Sequence, residues 1–222
     1  MLRFVRSHLT ACCFLLLLAA AELTYSMLSG HDQHALRAWA STSVTNLKHH
    51  PLGALVSSAF IPSEHPLGWL LLAALGMFSA DGMLGWRRSL VLVAAAHLLG
   101  SLVSEGVVAW RVAQGALPHA SLSLDDVGPS YLVASALTFA LLYGWVRGSP
   151  AWVRGLRPVA GLLGLVALRG VLFSGLSHLD VTAVGHTVSM VTAALLGGAL
   201  LRGRAGRPAA VRAPAPARSG HG

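Results

Sequence analysis

Apolar runs of about 20 residues recur along this chain with almost no charge inside them, and nothing else in the sequence constrains its folding as strongly. They fall at roughly 8–28, 54–80, 89–108, 127–146, 158–175 and 181–201. At about 1.5 Å rise per residue each spans most or all of a hydrocarbon layer of roughly 30 Å. In lipid every backbone N–H and C=O must be paired within the protein, and a helix does this within a single segment. Only 11% of the 222 residues are charged, where a soluble domain carries roughly a quarter. The expected architecture is all-α: one polytopic bundle of six transmembrane helices over 1–201, with a tail at 202–222. The tail is rich in Ala, Pro and Arg, has no apolar face to bury, and is expected to be disordered. Run 8–28 is too long for a signal peptide and lacks a convincing cleavage site. Cys12 and Cys13 are adjacent within it and serve as apolar filler.

The charges orient the bundle. If the runs alternate in direction, Arg3, Arg6, Arg87, Arg88, Arg147, Arg154, Arg157 and the five tail arginines share one side. The other side receives Arg37, Lys48 and Arg111, while Arg169 lies inside a run. Twelve against three places both termini in the cytoplasm of a multi-pass plasma-membrane protein. The formal charge of +8 is spread between runs and along the tail, so no single basic face is offered to nucleic acid. The lipid bilayer is the expected partner. With no long extramembrane domain, chemistry must occur within the membrane or at its edge.

The stretch "DDVGPSYL", 125–132, opens the fourth run. On this topology Ser130 lies about one turn below the outer surface. The sixth run also enters from outside after Asp180, which places His186 about 9 Å in. A hydroxyl and an imidazole at similar depth on two helices meet the minimal requirement of a Ser–His dyad, in which the base takes the hydroxyl proton. Small residues suit close approach of the two helices: Ser189, Ala193 and Gly197 behind His186, and Ala134 and Thr138 beyond Ser130. The first turn of a helix also offers unpaired amides to an oxyanion. The plain alternative is a helix start, with Asp126 as cap and Pro129 in the first turn.

Other polar residues have structural readings first. His97 is expected to bond Ser101 one turn on, and Glu105 and Arg169, or Arg169 and Asp126, to pair as structural glue. His31, His34, His49 and His50 share the outer loop, but no fixed acid or cysteine completes a metal site. No metal is assigned. Glu22 is expected to reach the headgroups, and Trp86 with Arg87 and Arg88 to anchor the cytoplasmic interface.

The order of these elements resembles the rhomboid intramembrane serine proteases. That family opens its fourth span with Gly-x-Ser-Gly and carries His-x-x-Gly-x-x-x-Gly in its sixth. Here "GPSY" stands at 128–131 and "HTVSMVTA" at 186–193, with Ser189 and Ala193 on the stripe. The stretches "HPLGALVSSAFIPSEHPLGWLLLAALGMF" and "LGWRRSLVLVAAAHLLGSL" resemble the entry to its second span and its third span. The resemblance covers about residues 45–200. It implies Ser130 as nucleophile, His186 as base, Gly128 and His65 as support for the oxyanion, and Tyr131, Ala134, Ser189 and Ala193 packed around the dyad. It implies no cofactor, and a transmembrane protein substrate cleaved near the outer leaflet. Two departures stand out: Tyr131 replaces the glycine after the serine, and Leu67 and Leu71 stand where the family's His-x-x-x-Asn pair is expected. They raise the alternative of a catalytically inactive rhomboid-like protein that binds membrane-protein clients.

Overall fold

The computed structural model describes residues 2–62, 65–143 and 169–205, and among these the regular structure is helical, without strands. A short helix, α1 (Leu2–Ser7), leads into α2 (Leu9–Ser26), the first expected span. The polar loop that follows is more ordered than its composition suggests. It folds as α3 (Gly30–Ala40), α4 (Val44–His49) and α5 (Pro51–Ser58). Ser29 accepts from the Asp32 amide and Ser43 from the Asn46 amide, so each of the first two helices starts on a serine cap. Pro51 sits in the first turn of α5, where its missing N–H costs nothing.

The expected second span, 54–80, is broken. Helix α5 ends at Ser58 and the crossing helix α6 runs Pro66–Leu84, because the prolines at 62 and 66 cannot donate into a continuous ladder. Helix α7 (Trp86–Ala113) extends past the expected end of span three and is followed by a 3₁₀ turn, His119–Ser123. Helix α8 (Ser130–Tyr143) lies in the fourth run, and α10 (Val181–Ala205) is the sixth. Between them the short helix α9 spans Arg169–Leu172. Most of the expected fifth span, 158–175, and nearly all of the tail lie outside the described residues, although Arg202–Ala205 continue α10. Four described helices, α2, α6, α7 and α10, are long and apolar enough to cross a membrane, and α8 is a shorter apolar helix of 14 residues.

Helix α8 lies against α6, α7 and α10, while α7 also packs on α10 and α2 on α6. Close approach depends on missing side chains. A methyl group at Gly76 of α6 would stand 2.9 Å from Ala136 of α8, and one at Gly197 of α10 would press on Phe139. One apolar cluster joins α2, α6 and α8 through Phe14, Leu18, Met77, Leu132 and Val133. A second joins α6, α7, α8 and α10 through Ala80, Leu84, Leu92, Phe139 and Ala193.

Candidate functional site

Helix α8 begins from a turn that needs glycine. Gly128 has φ +124°, a value that L side chains rarely adopt, and its amide donates to the Ser58 carbonyl at 2.8 Å. This bond ties the turn to the end of α5. Pro129 follows, and the first i→i−4 bond of the helix runs from the Val133 amide to the Pro129 carbonyl at 3.0 Å. Ser130 is therefore the first helical residue. It is half-buried, and its hydroxyl makes no hydrogen bond among the described residues.

Helix α10 starts at Asp180, whose carboxylate accepts from the Thr182 amide at 3.1 Å and whose carbonyl accepts from the Val184 amide. The chain reaches it through Gly175 and Leu179, both left-handed. His186, only 3% exposed, turns Nδ1 to the Leu172 carbonyl at 3.2 Å. A carbonyl only accepts, so Nδ1 carries the proton and Nε2 keeps its lone pair. Nε2 is buried and has no partner among the described residues.

No hydrogen bond joins Ser130 to His186. The side chain from the start of α8 that reaches His186 is Tyr131, whose ring meets the imidazole edge-on at 5.5 Å and 89°. Tyr131 also lies 6.1 Å from the His97 ring. It occupies a slot between two helices that depends on Gly185. A methyl group at Gly185 of α10 would overlap the Tyr131 ring, and one at Gly100 of α7 would press first on Ser189 Oγ and stand 3.2 Å from Tyr131 Cδ2. The Tyr131 hydroxyl points to the Asp126 carboxylate, 3.0 and 3.2 Å from its two oxygens, and to the Val181 carbonyl at 3.3 Å.

Asp126 anchors the segment between α3 and α4 to this layer. Its carboxylate accepts from the Thr42 hydroxyl at 3.0 Å, its amide donates to Ser41 Oγ at 2.8 Å, and its carbonyl accepts from the Thr42 amide. Burial raises its pKa above the usual carboxylate range. The bonds from Thr42 and Tyr131 oppose that rise, and the negative charge of Asp180 adds to it.

Several expected partners change. His97 does not bond Ser101: its Nε2 faces the Leu55 carbonyl at 2.8 Å and Ser58 Oγ at 3.4 Å, and Ser101 Oγ is buried without a partner among the described residues. The free carbonyls at the end of α5 are the stronger attraction. Glu105 accepts from the Val44 amide at 3.0 Å and so caps α4 with a carboxylate. The Arg169 side chain lies outside the described residues. Ser189 turns to α7, where it donates to the Ala96 carbonyl at 2.9 Å, whereas Ala193 packs in the cluster with Phe139. The small-residue stripe of α10 thus serves two neighbours. Ala134 is buried on α8. His65 sits exposed before α6, and its ring makes no hydrogen bond among the described residues.

Leu67 and Leu71 are 75% and 68% exposed, on the outward face of α6. Side chains at these positions face away from the bundle, so they are not places from which a helper pair would reach the site. Glu22 lines a small pocket with Trp69, Leu70 and Pro129, next to the start of α8. His50 stacks on Trp39 at 5.4 Å and bonds its carbonyl, and no group of three metal-ligating side chains gathers among the described residues.

Sequence reasoning did not single out the Leu172 carbonyl, Gly100, Gly185, Thr42 or Asp81. Glycines inside apolar helices were the available signal for the Tyr131 slot. The signal for Asp81 was an acid directly after the second run; it is 2% exposed and accepts from the Ala11 amide at 2.9 Å, capping α2 from the side.

The sequence profile of a family described as "Rhomboid-like protein" matches residues 3–204, nearly the whole chain. The chain belongs to the rhomboid-like family. Comparison with curated proteins and with solved structures finds no match. Membership, together with the apolar helices, makes this rhomboid-like chain a multi-pass membrane protein in contact with the bilayer.

Proposed function

We propose that this rhomboid-like protein is an intramembrane serine protease that cleaves transmembrane protein substrates near the outer leaflet. The observation that carries the reading is the state of His186: a proton on Nδ1 held by the Leu172 carbonyl, and a basic lone pair on a buried Nε2. A general base needs that arrangement, with a third group orienting the ring. Here a backbone carbonyl takes the place of an acid. In the proposed step Ser130 Oγ attacks the scissile carbonyl and passes its proton to His186 Nε2. His186 then returns it to the leaving amine. The amides at the start of α8 face the developing oxyanion, and the substrate helix unwinds locally to expose its carbonyl.

A second reading has its own observation. No hydrogen bond joins Ser130 to His186, and the bulky Tyr131 lies against the imidazole. On this reading the protein holds a membrane-protein client without cleaving it. Labelling of membranes with a fluorophosphonate probe separates the two. The protease reading expects a labelled native chain, with His186→Ala slowing labelling about 10²–10⁴-fold and Ser130→Ala abolishing it. An unlabelled native chain, beside an active serine hydrolase that labels in the same membranes, would leave the client-holding reading.

A further inference from the structure

We propose that Tyr131 is a positioning residue for His186, and that Gly185 across from it admits its ring. The proposal deepens the protease reading, yet its geometry stands without it.

A single bond from Nδ1 to the Leu172 carbonyl leaves the imidazole free to swing about that contact. The Tyr131 edge, 5.5 Å away and at 89°, blocks the swing on one side. Edge-to-face contacts of this kind carry a geometric preference beyond the area they bury. The ring of Tyr131 is itself held on three sides. Gly100 and Gly185 form the walls, and Asp126 holds the hydroxyl at 3.0 Å. Asp126 is in turn fixed by Thr42, so the segment that holds Thr42 reaches His186 through a chain of two side chains. Tyr131 and His186 touch ring to ring, and the Tyr131 hydroxyl points away from the imidazole toward Asp126 and Val181. Tyr131 therefore supplies shape and not a proton.

The test reads the imidazole directly. The chain has 11 histidines, and the His186 signal is assigned by its loss in His186→Gln, using ¹⁵N-histidine-labelled protein in nanodiscs. The native protein is expected to show one Nδ1–H tautomer for His186. Tyr131→Phe keeps the ring in its slot and should keep that signature. Tyr131→Leu removes the ring, and Gly185→Ala expels it without deleting any polar group. Both should replace the single signature with exchange-averaged signals. In the fluorophosphonate assay they should slow labelling about tenfold to a hundredfold, the scale of a small misplacement, with little change in probe affinity. Retention of the native tautomer signal in folded Gly185→Ala and Tyr131→Leu protein would overturn the proposal. Loss of the signal in both variants, beside a native chain that keeps it but never labels, would support positioning while removing the protease reading.

Discussion

The two ends of the bundle solve burial differently. At the end that holds Ser130 polar groups are buried together: Thr42, Glu105, Asp126, Tyr131 and His186 lie on five different segments, and most are satisfied by backbone groups or by each other. At the opposite end the contact between α6, α7, α8 and α10 is apolar, built from Ala80, Leu84, Leu92, Phe139 and Ala193. Its one deeply buried acid, Asp81, acts as a helix cap. An apolar contact is cheap in lipid and tolerates small shifts. A buried polar cluster is costly unless every member is placed, so it specifies geometry more sharply. The candidate site lies at the end that carries this constraint.

The comparison can be broken most directly at Phe139. Phe139→Ala empties a fully buried position of the apolar cluster and should cost about 3–5 kcal/mol, read as a lowered unfolding midpoint in detergent. The His186 tautomer signal of the folded protein should be unchanged. If that signal shifts, the two ends are not separable. Thr42→Val should cost about 1–3 kcal/mol by removing one of the two side-chain donors to the buried Asp126 carboxylate, and the His186 signal should be kept as in Tyr131→Phe, because the Tyr131 ring stays in its slot. Asp81→Ala should cost about 0.5–2 kcal/mol through the lost cap on α2, without effect on the site.

The pH response sharpens the same contrast. Asp126 has a pKa raised above its unfolded value, so the folded state binds its proton more tightly than the unfolded state does. Its stabilising contribution is complete below the unfolded pKa of about 3.9 and is lost as pH rises through the folded value. Asp126→Asn, which can still accept from Thr42 and Tyr131, should flatten that part of the stability profile between about pH 4 and the folded pKa. A profile identical to the native one would show that Asp126 does not carry it. The smallest effect is expected at Leu71→Ala, within about 0.5 kcal/mol, because that side chain faces outward.

Hydropathy is a local sum, and what depends on it could be read early. The lipid solvent, the crossing helices α2, α6, α7 and α10, and the family were legible because each rests on residues close in sequence. Pro62 and Pro66 marked the break in the second run, although its consequence, two separate helices, became clear only in the structure. The polar loop misled because its caps, Ser29 and Ser43, act through single hydrogen bonds that composition does not register.

What only the tertiary structure decided is rotation. These helices are apolar on every side, so no polar stripe in the sequence tells which face of α6 carries Leu67 or which neighbour Ser189 meets. The same holds for partners. His97 passed over Ser101 on its own helix for the Leu55 carbonyl, and His186 turned Nδ1 to the Leu172 carbonyl. The sequence by itself determined that this chain lives in the membrane as a rhomboid-like bundle. The tertiary structure decided which buried polar atoms meet, because in a low-dielectric interior each donor takes whichever acceptor the packing brings within reach.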